Sequence, residues 1–432
     1  MIDIRRYYCL ILSLFLLFLI LPSLAKAETL EEAWRTALAA NQSLQASRKM
    51  TESAQQNLAA AKGARLPGLT VQSGYTVLDN EPAFKVDLPP LPPKELPFAE
   101  DKFFWGSAMV TLPLFTSGRI SRSIDAANAG LNAARMDETR TTLDLKMAVA
   151  EAYVGVLRAT RAVNVAEINV AGLAAHAKDV DNLFKQEFVA KNDVLATQVA
   201  LADARQRSLQ ANNALDITKA VYNRLLGRPL TQPVELDEPS TEPLQTDIDT
   251  LTNRGVDHRP ELKLLSEQSQ SLRHQAAGVR ASTWPQIAFG GGYSFLQNQF
   301  LAHEGIWSAT VGLKWDIFDG GVRRSQAAAL EQKAEAFQKQ RSDAASIISL
   351  QVRQTWLDVG ETQRRLEVTR EAVAQSDENL KVAKDRYRNG LGTNTEVLDA
   401  ETLRVRSHSN HDNAIYDHVL ASLRLRRAVG DL

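Results

Sequence analysis

The chain is almost without cysteine. Cys9 is the only one in 432 residues, and it falls inside an opening apolar run. Beyond that run there is no thiol to close a disulfide, bind a metal or act as a nucleophile. An excess of one charge is also lacking: 50 Lys+Arg stand against 51 Asp+Glu. Such a balance gives no basic footprint for nucleic acid. There is no G-x-S-x-G, no H-E-x-x-H and no P-loop. No enzyme activity, catalytic residue or cofactor is therefore expected. Long apolar runs are missing after Leu21, so no membrane-spanning helix is expected in the body of the chain. Strands that alternate polar and apolar residues escape that test.

The first residues have a layout of their own. Arg5 and Arg6 precede the apolar stretch Tyr7 to Leu21, Pro22 ends it, and Ala25-Lys26-Ala27 supplies small residues. This is the pattern of a secretory signal at residues 1–27, with cleavage after Ala27. A membrane anchor is the other reading, but the run is short of the about 20 residues a spanning helix needs. Cys9 lies too early to carry a lipid at the mature N-terminus. Loss of Asp3, Arg5, Arg6 and Lys26 takes the net charge from −1 to −3.

Internal repetition is the strongest signal. Pro67-Gly68-Leu69 returns as Pro285-Gln286-Ile287, and Gly74-Tyr75 as Gly292-Tyr293, both 218 positions on. Phe115 to Gly118 returns as Phe318 to Gly321, Phe184 as Tyr387, Asp193-Val194-Leu195 as Glu396-Val397-Leu398, and Gly227 as Gly430. These are all 203 positions on. The offset changes by 15 between Tyr75 and Phe115, where the first repeat carries Glu81 to Asp101 with six prolines. That stretch reads as a long loop, since proline suits neither helix nor central strand. The organisation expected is a first repeat at 28–227, a Pro- and acid-rich linker at 228–258, and a second repeat at 259–432.

Four segments alternate with period two: about 69–77, 103–115, 286–296 and 306–318. In the last, Trp307, Ala309, Val311, Leu313, Trp315 and Ile317 form one apolar set, with Ser308, Thr310, Gly312, Lys314 and Asp316 between them. Such strands have one greasy and one wet face. Eleven residues at about 3.3 Å reach roughly 36 Å, enough to cross an outer-membrane layer at a tilt. A soluble sheet lying on a core is the bland alternative. In lipid every backbone group must be paired, so the sheet must close. Four strands are too few, because spanning barrels start at about eight. Two chains would supply eight strands and three would supply twelve.

Proline is absent from Arg119 to Asn182, and again from Val322 to Asp385. Each stretch predicts a helix near 96 Å at about 1.5 Å per residue. Rods of that length need partners along them, as in coiled coils. Val149, Tyr153, Val156 and Val163 share a face and supply such a seam. Shorter helices are expected at about Leu30–Ala64, Asp193–Leu226, Arg259–Thr283 and Glu396–Val429.

The duplicated layout, the prolines before the strands, the paired Phe-x-x-Gly exits and the segment Arg386-Tyr387-Arg388-Asn389-Gly390 leading to Glu396-Val397-Leu398-Asp399-Ala400 together resemble the TolC family of outer-membrane efflux proteins. The resemblance spans nearly the whole mature chain. It implies a mainly helical fold with a β-barrel part: four membrane strands per chain, a trimeric twelve-stranded barrel, and a coiled-coil helical tube in the periplasm of a Gram-negative bacterium. It implies a homotrimeric exit duct of a tripartite efflux or type I secretion system. The partners would be a periplasmic adaptor, an inner-membrane pump and outer-membrane lipid.

The resemblance also implies site residues. Glu396 and Asp399 match the acidic positions of the periplasmic entrance. They lie three apart on a helix and share a face, so threefold symmetry would gather six carboxylates and favour cations. An ordinary solvated helix start, where acids suit the dipole, is the alternative. Tyr387 and Asp193 match contacts that hold the tube shut. The basic residue expected after the tip glycine is absent, since Gly392 and Thr393 stand there, and Arg386 or Arg388 would substitute. Gly390, Leu391 and Gly392 match the adaptor-facing tip. Glu187 stands where Gly390 stands in the second repeat, which makes docking on the first tip a weaker expectation. His408 and His411, with Asp412, sit on one helix and are weak candidates for a metal; a surface histidine pair is the simpler reading. The rival functions are a non-channel coiled-coil scaffold or adaptor, and a periplasmic metal-binding protein.

Overall fold

The structure is a computed structural model that describes residues 27–239 and 247–432. The expected signal at 1–27 therefore lies almost wholly outside the described residues. By its contacts the chain divides into two compact units. One comprises residues up to 46, 139–259 and 346–432; the other comprises 47–138 and 260–345.

The second unit holds the sheet. Strands β1 (Gly68–Val77), β4 (Lys102–Phe115), β5 (Gln286–Leu296) and β6 (Gly305–Lys314) pair antiparallel in the order β1-β4-β5-β6. β4 and β5 come from different repeats and lie side by side, with Ala108 opposite Tyr293. β1 and β6 each have one edge without a strand partner among the described residues. A separate ribbon, β2 (Ala83–Val86) with β3 (Lys94–Pro97), stands in the stretch read as loop. Proline is tolerated there because the ribbon has two edges and no centre. α2 (Gln42–Gly63) from Ser47 onward and α6 (Pro260–Ala281) belong to this unit, with the first turns of the long helices α3 (Arg119–Lys185) and α7 (Val322–Arg388). Small residues let backbones come close: Ser269 Oγ donates to the Ala334 carbonyl at 2.8 Å and Ser271 Oγ to that of Ala126 at 2.9 Å.

The fourth strand ends earlier than its alternation promised. Trp315 to Ile317 lie beyond β6, and the Trp315 indole donates to the Thr283 carbonyl at 3.1 Å. Acidic side chains claim this segment for the helix that follows. Asp316 pairs with Arg323, while Asp319 accepts from the backbone of Gly321 and Arg323.

In the first unit, α1 (Leu30–Ala40), α4 (Lys191–Leu225), α5 (Ile248–His258) and α8 (Asn394–Val429) join the remaining parts of α3 and α7. Tyr153 and Tyr222 are fully buried at the centre of its core, with Val149 and Val156 of the expected seam. Burial pushes both phenols well above their ordinary pKa. Tyr153 donates to the carbonyls of Glu28 and Asp237, and Tyr222 to the Glu28 carboxylate. Arg228 closes this group with two bonds to Glu28.

Two expected elements need correction. The helix expected at Leu30–Ala64 breaks at Asn41, whose side chain accepts from Ser43 and Leu44 and so caps α2. The linker read at 228–258 contains α5. It is the counterpart of α1, 218 positions on, and its break at Arg259 answers Asn41. Among the described residues no helix is long and apolar enough to cross a membrane.

Candidate functional site

The two hairpin turns of the first unit are built alike. At the end of α3 the Phe188 N–H donates to the Leu183 carbonyl, and Glu187 takes φ of 62°. At the end of α7 the Leu391 N–H donates to the Arg386 carbonyl, and Gly390 takes φ of 70°. Both are Schellman closures, in which a left-handed residue lets the chain satisfy the last carbonyls. Glu187 keeps the geometry without the glycine, against a cost of roughly 1 kcal/mol. Phe188 and Leu391, one residue further on, are 74% and 73% exposed. Each tip thus ends in an apolar knob.

Gly390 has open space around its Cα, whereas Gly392 is packed: a Cβ there would lie 3.1 Å from Glu396 Oε2. Thr393 caps α8 by accepting from the Glu396 N–H. Glu396 and Asp399 are both exposed on α8. Arg386 donates to the Leu391 carbonyl and lies 3.9 Å from Glu396. It therefore stays within its own tip.

Tyr387, Asp193 and Arg388 line one cleft between the two hairpins. Arg388 pairs with Asp179 at 2.9 Å. Tyr387 is buried with Val180, Leu380, Val397 and Ala400, and its ring stands edge-on to His176. Its hydroxyl is buried without a hydrogen-bond partner. Burial first, and the Asp193 charge second, push its pKa up to about 12. Beside these residues an open cleft of about 700 Å³ runs from Phe188 and Ala190 to Asn389 and Thr395.

Below the tips lies a polar group that sequence reasoning missed. His176 Nε2 is 2.8 Å from Asn394 Oδ1, Thr197 Oγ1 is 3.2 Å from the same oxygen, and the Asn394 amide donates to the Asp193 carbonyl. His176 is buried, and desolvation holds its pKa below the ordinary value despite the Asn394 bond. Further along, Glu401 is 2% exposed and bonded to Lys384 at 2.5 Å, with its second oxygen unpartnered. Gly172 makes room for it, since a Cβ there would lie 3.0 Å from the carboxylate. The rarity of glycine in α3 was the one signal that could have pointed to this contact.

His408 and His411 do not converge. His408 Nε2 bonds Asp377 at 3.0 Å, whereas His411 Nδ1 lies 3.2 Å from Thr369 Oγ1. Burial would raise the Asp377 pKa, but the bonds from Arg404 and His408 outweigh it and hold it low. Among the described residues no three His, Cys, Asp or Glu side chains gather as for a metal.

The family model for outer membrane efflux proteins matches residues 33–228 and 253–431. The chain belongs to that family. Outer membrane protein TolC of Vibrio cholerae serotype O1 is 22% identical over 421 residues, covering 95% of this chain and 93% of the relative. The VceC outer membrane protein of Vibrio cholerae superposes with a TM-score of 0.78 at 16% identity, over 93% of this chain and 96% of that one. The Campylobacter jejuni CmeC outer membrane channel gives 0.80 at 12% identity, over 93% and 85%. This efflux-family chain is an outer-membrane channel protein, with β1, β4, β5 and β6 as its barrel strands and its helices in the periplasm.

Proposed function

We propose that three copies of the chain close into a single duct that passively carries substrate from a periplasmic adaptor and an inner-membrane pump to the exterior. The observation that carries this reading is the sheet with two bare edges. Bare backbone is not tolerated in hydrocarbon, and four strands fall short of the smallest closed barrels of about eight. Three chains bring twelve. The strands alternate in direction, so β6 of one chain continues antiparallel into β1 of the next.

In this duct Glu396 and Asp399 form the acidic ring of the periplasmic entrance. Tyr387, Asp193 and Arg388 hold the two hairpins of a chain together, so that opening means loosening them. Arg386 fixes the shape of the second tip. The adaptor docks over the tips, where Phe188 joins Gly390, Leu391 and Gly392. The likeness of the two turns removes the reason for preferring the second tip.

Purified protein in detergent should have the native mass of three chains and should conduct in planar bilayers. The combination Glu396→Gln with Asp399→Asn should weaken block of that current by divalent cations at least several-fold. A stable single chain without conductance would favour a scaffold and end the duct reading. Undiminished cation block would remove the two acids from the entrance.

A further inference from the structure

The ribbon β2–β3 has an apolar face that its own chain leaves uncovered. Phe84 faces Leu96 across the ribbon, with Val86 opposite Lys94 on the same side; Lys85 faces Glu95 on the other side, beside Ala83 and Pro97, so the bulky apolar side chains gather on one face. Phe84 is 63% exposed, and Leu91 in the turn is 66% exposed. An isolated two-stranded ribbon is at best marginally stable in water. The Phe98 ring, 4.5 Å from that of Phe84, covers only part of the face.

The base of the ribbon is nevertheless fixed. Asn298, in the β5–β6 loop, is buried and uses all its polar atoms. Its amide donates to the Phe98 carbonyl at 3.0 Å, its N–H donates to Glu304 Oε1, and its Oδ1 accepts from Phe300. The Phe98 N–H in turn donates to the Pro82 carbonyl. The ribbon is thus held on its β4 side by its own chain.

The other side belongs to β1, a bare edge of the sheet. The loop that carries Phe300 and Leu301, both exposed, leads directly into β6, the opposite bare edge. When edges of neighbouring chains pair antiparallel, the end of β1 at Val77 meets the start of β6 at Gly305. We infer that the apolar face of the β2–β3 ribbon docks on Phe300 and Leu301 of the neighbouring chain and clasps the barrel seam from outside. The occupant is a second copy of this chain, because the uncovered face continues the edge that the second copy must pair. The inference rests on the closed-ring reading above.

The sequence makes the test clean, since Cys9 is its only cysteine and lies within the predicted signal. The full chain carrying Phe84→Cys with Leu301→Cys is expressed, and outer membranes are treated with a short bis-maleimide. The expected result is a covalent ladder reaching three chains, at least ten-fold stronger than with Lys85→Cys and Leu301→Cys, whose first cysteine lies on the charged face. Native mass is measured on the same samples. Three-chain assemblies without the ladder overturn the clasp and leave the ring standing. Absence of any assembly in the unmodified protein overturns both. A Phe84→Trp variant quenched by brominated lipid would give the face to the membrane and likewise overturn the clasp.

Discussion

Glu401 shows how little a charged residue discloses by its sequence position. It follows Ala400 on a helix rich in polar residues, yet it is enclosed between Gly172 and Lys384. Removing one member of a buried pair is far worse than removing both, because a lone charge is left in low dielectric. Lys384→Met is therefore expected to cost about 3 kcal/mol, and Lys384→Met with Glu401→Gln much less. The thermal midpoint of the assembled protein reads the difference. His176 gives a pH dependence. Its folded pKa lies below the ordinary 6.5, so between those values the unfolded chain binds more protons and stability rises with pH. The tip contribution is complete above about 6.5 and declines as the pH falls through that value toward the folded pKa. Hydrogen exchange of α8 amides at pH 7.5 and 5.5 should show faster opening in acid, and His176→Gln should flatten the dependence. An unchanged slope would move the effect to another group. Glu396, Asp399, Tyr387 and Asp193 came to notice only through resemblance, since nothing in their spacing alone separates a site from a helix start. The buried pair His176 and Asn394 went unnoticed because it joins residues 218 positions apart, and Glu401 because its partner Lys384 lies on the other helix of the hairpin, 17 positions back.

Among elements, backbone geometry records the duplication more faithfully than side chains do. Every described residue with positive φ falls into a pair 203 positions apart: Ser117 with Gly320, Gly118 with Gly321, Glu187 with Gly390, Gly227 with Gly430. Two of these pairs hide the signal behind a non-glycine. Glu187→Gly is accordingly expected to stabilise the first tip by up to ~1 kcal/mol, and Gly390→Glu to weaken the second by a similar amount, measured as local exchange rates at the turns. Opposite signs for the two substitutions are required. The strands were legible from alternation, and their starts fall within a residue of the pattern. The end of β6 was not, because the pattern runs on through Trp315 and Ile317 while Asp316 and Asp319 already serve the next helix. α5 was masked by the acidic, proline-bearing stretch around it. The ribbon β2–β3 was masked by its prolines.

At the scale of the molecule the sequence discloses the need for closure but not the number of chains. That need follows from counting strands, whereas the number depends on tilt and stagger, which no residue type encodes. The facing of the barrel can be tested directly. Val311→Lys places charge on the exposed apolar face of β6 and is expected to cost about 2–4 kcal/mol near mid-membrane. It should sharply lower the yield of assembled protein in outer membranes. Thr310→Lys, one residue away on the other face, should be tolerated. Equal yields from both would reverse or abolish the assignment of faces. The repeats agree at their helical turns and disagree at the ribbon, which only the first repeat carries. In a ring of three, a protein approaching the turns therefore meets six nearly equivalent notches around the axis. An antibody or phage approaching the ribbons meets three. In the proposed ring one polypeptide would thus carry two rotational orders, six for the turns and three for the ribbons, and a sixfold partner would match the turns alone.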